Sequence, residues 1–238
     1  MSIFSGVLPP EVLFETSSQY NEKIRVLKSG EVLKLSVNNF VQSLSKNSKN
    51  AGKLCWGETV NVIKSEFNTE TEEDAKNTPK NILILGLGGG TMQHFIHEAY
   101  PEANMVSVEI DSVIADIAYK YFDLGSIGNH QVIVEDAFRF VVEPESYGIN
   151  KQNFDVIIVD TVFGDDFPSL AASGNFLSAV KDLALPRGLV IFNRMYMEDY
   201  QENVNSFKNF IEGFFDDVKT KIVAGYTNSD NILIYGRA

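Results

Sequence analysis

Asn81-Ile82-Leu83-Ile84-Leu85-Gly86-Leu87-Gly88-Gly89-Gly90-Thr91 decides the fold. Ile82–Leu85 is a short, continuous apolar run, as expected of a strand buried on both faces. Four of the next five residues are glycines, and a helical pattern over Met92–Tyr100 follows at once. Glycine lets a strand-to-helix turn bend tightly and lets a ligand approach without a Cβ in the way. A plain turn with no ligand would carry the backbone-entropy cost of four glycines with no return.

Downstream of this unit the same rhythm repeats. Met105–Val108, Val132–Val134, Val156–Val159 and Leu189–Phe192 read as further buried strands. Ser112–Tyr121, Phe138–Val142, Phe176–Leu183 and Val204–Phe215 read as the helices among them. Such alternation predicts right-handed crossovers and a parallel, doubly wound α/β sheet. Thr220–Val223 and Ile232–Tyr235, with the turn-rich 226–231 between them, predict an antiparallel pair at its edge. Upstream, Glu11–Thr16, Lys23–Leu27 and Val32–Val37 predict a small antiparallel sheet, with Ser29-Gly30 as a turn. Leu54–Glu66 is loosely helical, and the polar stretch to Lys80 reads as a linker. The expected division is a β domain over 1–50, a helix and linker over 51–80, and a nucleoside-binding domain over 81–238.

Ligands of open parallel sheets bind beyond the carboxyl ends of the strands. An acid stands just past each of three of them: Glu109, Asp136 and Asp160. Glu109 lies about 20 residues beyond the glycine loop, where a carboxylate accepts from ribose hydroxyls in nucleotide folds. Asp136 is placed to accept from an adenine amino group. The competing readings are a surface glutamate at Glu109, with Asp111 the better cap for the next helix, and a simple helix cap at Asp136. The nicotinamide fingerprint G-x-G-x-x-G wants glycine at its sixth position, where this chain has Thr91. That favours an adenosyl-sulfonium nucleoside over a dinucleotide.

The 238 residues include 44% hydrophobic and 22% charged, an ordinary globular composition. A net charge of −12 argues against nucleic-acid binding and suits a cationic substrate. No apolar run is long enough to span a membrane. Without a signal-peptide pattern, and with Cys55 as the one cysteine, the expected compartment is the reducing cytoplasm. Cys55 reads as a small buried hydrophobe, and Trp56 as packing or cavity wall. His94 and His97 lack companion ligands, so no metal is expected. Phe207, Phe210, Phe214 and Phe215 read as a core-facing stripe. Asp165 and Asp166 either hold a cationic acceptor or serve as turn residues beside Gly164 and Pro168.

With these motifs in order, the chain resembles the spermidine synthase family from about Phe14 to Asn193. The likeness runs through Ile24-Arg25-Val26, Asn39-Phe40-Val41-Gln42-Ser43, the glycine loop, Val108-Glu109-Ile110-Asp111, Glu135-Asp136-Ala137 and Phe154–Asp160. It implies a Rossmann-like S-adenosylmethionine-dependent methyltransferase fold with a small N-terminal antiparallel β domain, and a homodimer. It implies aminopropyl transfer from decarboxylated S-adenosylmethionine to a polyamine. The implied nucleoside contacts are Gln42, Gly86, Gly88, Gly90, Glu109, Asp136 and Ala137, with Asp160 taking the proton of the attacking amine. Three departures stand out, the third being the longer fourth-strand loop over 160–168. Gly89 replaces the family's aspartate for the aminopropyl ammonium, and Cys55-Trp56-Gly57-Glu58 replaces a Tyr-His-Glu-like segment. The longer 160–168 loop and Asn193 look more like the methyltransferase branch of the family, which uses S-adenosylmethionine itself. Methyl transfer and a non-catalytic nucleoside-binding homologue are therefore the alternatives.

Overall fold

The computed structural model describes residues 9–67, 78–161, 173–196, 201–225 and 230–238. The N-terminal sheet contains β1 (Glu11–Thr16), β2 (Ile24–Ser29), β3 (Val32–Val37) and β4 (Phe40–Leu44), antiparallel and in sequence order. The sequence reading lacks β4. It is joined to β3 by Asn38-Asn39, with φ of 48° and 73° and Val37 paired to Phe40. Positive φ at both central residues is the requirement of a tight type I′ hairpin, and asparagine tolerates it.

Helix α1 (Cys55–Phe67) leads, beyond the undescribed 68–77, to the larger sheet. There β5 (Asn81–Leu85), α2 (Thr91–Ala99), β6 (Asn104–Glu109), α3 (Ser112–Tyr121), β7 (His130–Val134) and α4 (Ala137–Val142) follow in turn. The remainder is β8 (Phe154–Val159), α5 (Gly174–Leu183), β9 (Ala184–Met195), α6 (Gln201–Ile211), β10 (Asp216–Val223) and β11 (Asn231–Arg237). The strand order is β7-β6-β5-β8-β9-β11-β10. β5 to β9 are parallel, and β11 and β10 complete the edge antiparallel. This is the doubly wound sheet with a hairpin edge that the apolar rhythm predicts, β11 rather than β10 lying against β9.

Alternation along the strands separates two cores. Ile82 and Ile84 of β5 pack with α1 and α2, while Leu83 and Leu85 face α4, α5 and α6. α1 is thus a covering layer of the large sheet. The small sheet lays Ile24, Val26, Leu35 and Val37 on Ile114, Ile117 and Phe122, joining it to α3 and its end. Two expectations change. β9 extends far beyond Leu189–Phe192, because a bulge at Pro186-Arg187-Gly188, with Arg187 at φ 65°, keeps the chain in the sheet. The last helix ends at Ile211, and its buried stripe is Val204, Phe207 and Ile211. That leaves Phe210 45% exposed, against the core-facing reading, whereas Phe215 is buried.

Candidate active site

Strand order reverses about β5: the chain passes outward to β6 on one side and later to β8 on the other. A crevice must open at the carboxyl ends of β5 and β8. A cavity of about 290 Å³ lies there. Gln42, Gly86, Gly88, Glu109, Asp136, Ala137 and Asp160 all line it. Gly90 does not. With φ 83° it caps α2, and a Cβ there would stand 2.6 Å from Leu124, so its glycine serves backbone and packing. Asp165 and Asp166 lie outside the described residues.

The glycine loop is compressed between two chains. Gly86 holds φ 110°, and a Cβ on it would come 2.4 Å from the Asp160 carbonyl oxygen. The Asp160 backbone N–H in turn donates to the Leu85 carbonyl at 2.8 Å. β4 covers the loop from the other side. The Gly89 N–H donates to Ser43 Oγ at 2.6 Å, and the Ser43 hydroxyl donates to the Gln42 carbonyl. Thr91 Oγ1 donates to the Leu44 carbonyl at 2.6 Å and accepts from the Leu44 N–H at 3.1 Å. The residue that departs from the nicotinamide fingerprint thus clamps the small sheet onto the loop and brings Gln42 to the cavity.

The three acids have different surroundings. Glu109 is half-buried, not a surface glutamate. Its carboxylate accepts from the Asp111 N–H at 2.9 Å and the Leu87 N–H at 3.2 Å. Burial pushes its carboxyl up to about 7, opposed by those N–H groups. Asp111, the expected cap, accepts from Val113 N–H at 3.0 Å. It also accepts from Asn21 Nδ2 at 2.8 Å and from the Ser18 hydroxyl, tying the β1–β2 connection to α3. Asp136 caps α4 by accepting from the Phe138 N–H at 2.7 Å, and it lines the cavity as well. Cap and cavity residue are here the same side chain.

Asp160 accepts from Asn193 Nδ2 at 2.7 Å. Burial pushes its carboxyl up to about 6, and the Asn193 amide opposes the rise. Beside it the Cys55 thiol is driven well up by burial and by Asp160, and so stays protonated. Trp56 is 8% exposed and lines the cavity, joining core and wall. Glu58 pairs with Lys221 on β10. His94 donates from Nε2 to the Phe122 carbonyl at 2.8 Å, the role of a satisfied core histidine. Gln93, Ile110, Phe138, Thr161 and Phe176 line the cavity without having been singled out from the sequence for that role.

The spermine/spermidine synthase domain matches residues 65–236. The chain belongs to the spermine/spermidine synthase family. Among relatives of this family member, the polyamine aminopropyltransferase of Vibrio vulnificus is 30% identical over 141 residues, 59% of this chain and 46% of that protein. An eEF1A lysine and N-terminal methyltransferase homolog of Drosophila melanogaster is 30% identical over 128 residues, covering 52% of this chain and 19% of that protein. The chain thus spans less than half the length of both curated relatives. A crystal structure of a probable spermidine synthase from Corynebacterium glutamicum superposes with a TM-score of 0.76 at 19% identity, covering 95% of this chain and 80% of that one. Human methyltransferase-like protein 13 in complex with SAH gives 0.61 at 21% identity, over 76% and 81%. At these identities the two structures establish the shared fold.

Proposed function

We propose that the protein transfers an alkyl group from an adenosyl-sulfonium donor to an amine. The first reading is aminopropyl transfer from decarboxylated S-adenosylmethionine to a polyamine. The observation that carries it is Asp160: a half-buried carboxylate lining the cavity at the switch point, fixed by Asn193, with its carboxyl raised to about 6. A neutral amine attacks the carbon bonded to sulfur. The C–S bond breaks with its electrons to sulfur, methylthioadenosine leaves as a neutral thioether, and the amine's proton passes to Asp160. A carboxyl near 6 is mostly ionised at neutral pH yet basic enough to accept that proton. In-line positioning of amine, carbon and sulfur supplies most of the remaining rate.

Glu109 would hold the ribose hydroxyls, since each carboxylate oxygen that already accepts one N–H retains a lone pair. Asp136 would accept from the adenine amino group with the oxygen not used in capping, beside Ala137. Gln42 would reach the nucleoside from β4, over Gly86 and Gly88. Asp165 and Asp166 are proposed for the cationic acceptor. The family resemblance supports a homodimer, and the single cysteine supports a reducing, cytoplasmic setting.

Methyl transfer from S-adenosylmethionine is the second reading, and Gly89 favours it. A Cβ there would meet Ser43 Cβ at 2.9 Å and the Phe122 ring at 3.1 Å, which leaves no room for an ammonium-binding carboxylate. The coproduct separates the readings. The protein is incubated with each donor and a panel of polyamines and lysine peptides, and the nucleoside product is identified by mass spectrometry. Methylthioadenosine from the decarboxylated donor establishes aminopropyl transfer, and S-adenosylhomocysteine from the intact donor establishes methyl transfer. Neither product from any acceptor in the panel rejects both.

A further inference from the structure

Asp160 belongs to a chain of side chains that runs away from the cavity. Asn193 on β9 donates from Nδ2 to Asp160 Oδ1 at 2.7 Å. Asn231, the first residue of β11, donates from Nδ2 to Asn193 Oδ1 at 3.0 Å. Neither asparagine lines the cavity. Asn193 is 6% exposed, so each of its polar atoms needs a partner.

The polarity of this chain follows from chemistry. An ionised carboxylate only accepts, so Asn193 must turn its amide nitrogen to Asp160. Its carbonyl oxygen then faces β11 and requires a donor, which Asn231 provides with its own amide nitrogen. Every link is neutral, so the chain orients the carboxylate without pairing its charge. Oδ1 is engaged, and Oδ2 is the oxygen left for an incoming group.

We infer that Asn231 is a positioning residue for Asp160: acting through Asn193, it fixes the direction of the amide and presents Oδ2 to the acceptor amine. The inference rests on the transfer reading for its use of Oδ2, but the hydrogen-bond chain exists without any donor. Cys55 of α1 faces the same chain from a neighbouring element: its thiol has a hydrogen bond to Asn193 and, raised by burial and by Asp160, stays protonated.

Asn231→Asp tests the direction of the chain. The new carboxylate cannot donate, so the Asn193 carbonyl loses its partner. Asn193 then turns its amide nitrogen to β11 and its oxygen to Asp160, which Asp160 can face only when protonated. Carboxyl carbon-13 titration of the whole protein reads this directly, with the Asp160 signal assigned by its loss in Asp160→Asn. The native midpoint is expected near about 6. In Asn231→Asp it should rise by about one unit or more, a tenfold gain in proton affinity. The carboxylate added in Asn231→Asp raises the midpoint by its charge alone, so Asn231→Ala, which removes the donor and adds no charge, is the deciding variant and should raise it by a smaller amount. A midpoint unmoved in folded Asn231→Ala overturns the inference, whatever Asn193→Ala does.

Failure of this inference is distinguishable from failure of the transfer reading. Midpoints that shift as expected in a protein making product from neither donor uphold the positioning role and reject the transfer. Product formed with an unchanged pH–rate profile in Asn231→Asp upholds the transfer and rejects the positioning role.

Discussion

Placing at Gly89 the aspartate that the family resemblance implies is the sharpest test of whether the crowding there excludes an ammonium-binding carboxylate. Gly89 is not at positive φ, so the backbone accepts a side chain and the obstacle is steric. Its Cβ would stand 2.9 Å from Ser43 Cβ and 3.1 Å from two Phe122 ring atoms. Carbon pairs prefer about 3.5–4.0 Å, so both neighbours must retreat by roughly half an ångström. Neither does so freely. Ser43 is tied to the Gly89 N–H and the Gln42 carbonyl. Phe122 is 4% exposed, inside the cluster that joins the small sheet to α3. Overpacking of this kind costs about 1–3 kcal/mol. For a chain of this length that is roughly 2–12 °C in melting temperature. Gly89→Asp should melt lower by that amount in reversible thermal unfolding followed by circular dichroism. Ser43→Gly removes one of the two clashes, so the double variant should be more stable than the two single losses predict, by about 0.5 kcal/mol or more. An unchanged melting temperature in Gly89→Asp, together with tighter binding of the decarboxylated donor, would refute the reasoning. It would show that the loop opens readily and that an ammonium pocket is still available.

Three further outcomes are expected. Asp160→Asn should keep most of the donor affinity and lose turnover, and native kcat/KM should rise with pH through about 6 as Asp160 ionises; full activity in that variant rejects its role. Glu109, with its carboxyl raised to about 7, binds a proton in the folded chain between about 4.3 and 7 that the unfolded chain has released. Stability should therefore fall as pH rises through that window, and Glu109→Gln should flatten the fall in a series of melts; an identical pH slope in the variant counts against the buried, raised carboxyl. Asp111→Ala removes the α3 cap and the acceptor for Ser18 and Asn21, a loss of about 2–4 kcal/mol in denaturant unfolding; a loss below 1 would mean that the tie between the small sheet and α3 carries little energy.

What the sequence discloses depends on whether the physics is local. Ile82–Leu85 and its counterparts are legible because strands covered on both faces admit few polar residues. The acids are legible because parallel strands deliver their carboxyl ends to one edge, so Glu109, Asp136 and Asp160 converge although about 50 residues separate the first from the last. β4 is illegible for a local reason. Its pairing with β3 shifts between Leu35 and Ser36, so no clean alternation survives over Phe40–Leu44. The signal lay in Asn38-Asn39, a pair suited to a type I′ turn. In β9 the breaker triplet Pro186-Arg187-Gly188 reads as an end and is a bulge.

Other features are set only by register between strands distant in sequence. Asn193 pairs with Leu233, so Asn231, two residues before Leu233, projects from the same face of the sheet as Asn193. Diagonal neighbours of this kind are within reach of each other, which brings the two amides together and through them reaches Asp160. Thr91 carries the same lesson from the opposite side. Judged against a nicotinamide fingerprint it is a missing glycine, yet in place it holds β4 over the loop with two hydrogen bonds. The small sheet therefore borders the cavity: the Thr91 clamp and the Ser43 contact hold β4 against the glycine loop, where Gln42 lines the cavity and Ser43 crowds Gly89. On the proposed transfer, donor choice would depend as much on how β4 packs on the glycine loop as on the acids at the strand ends. A search for its specificity determinants should begin at Ser43, Gly89 and Phe122.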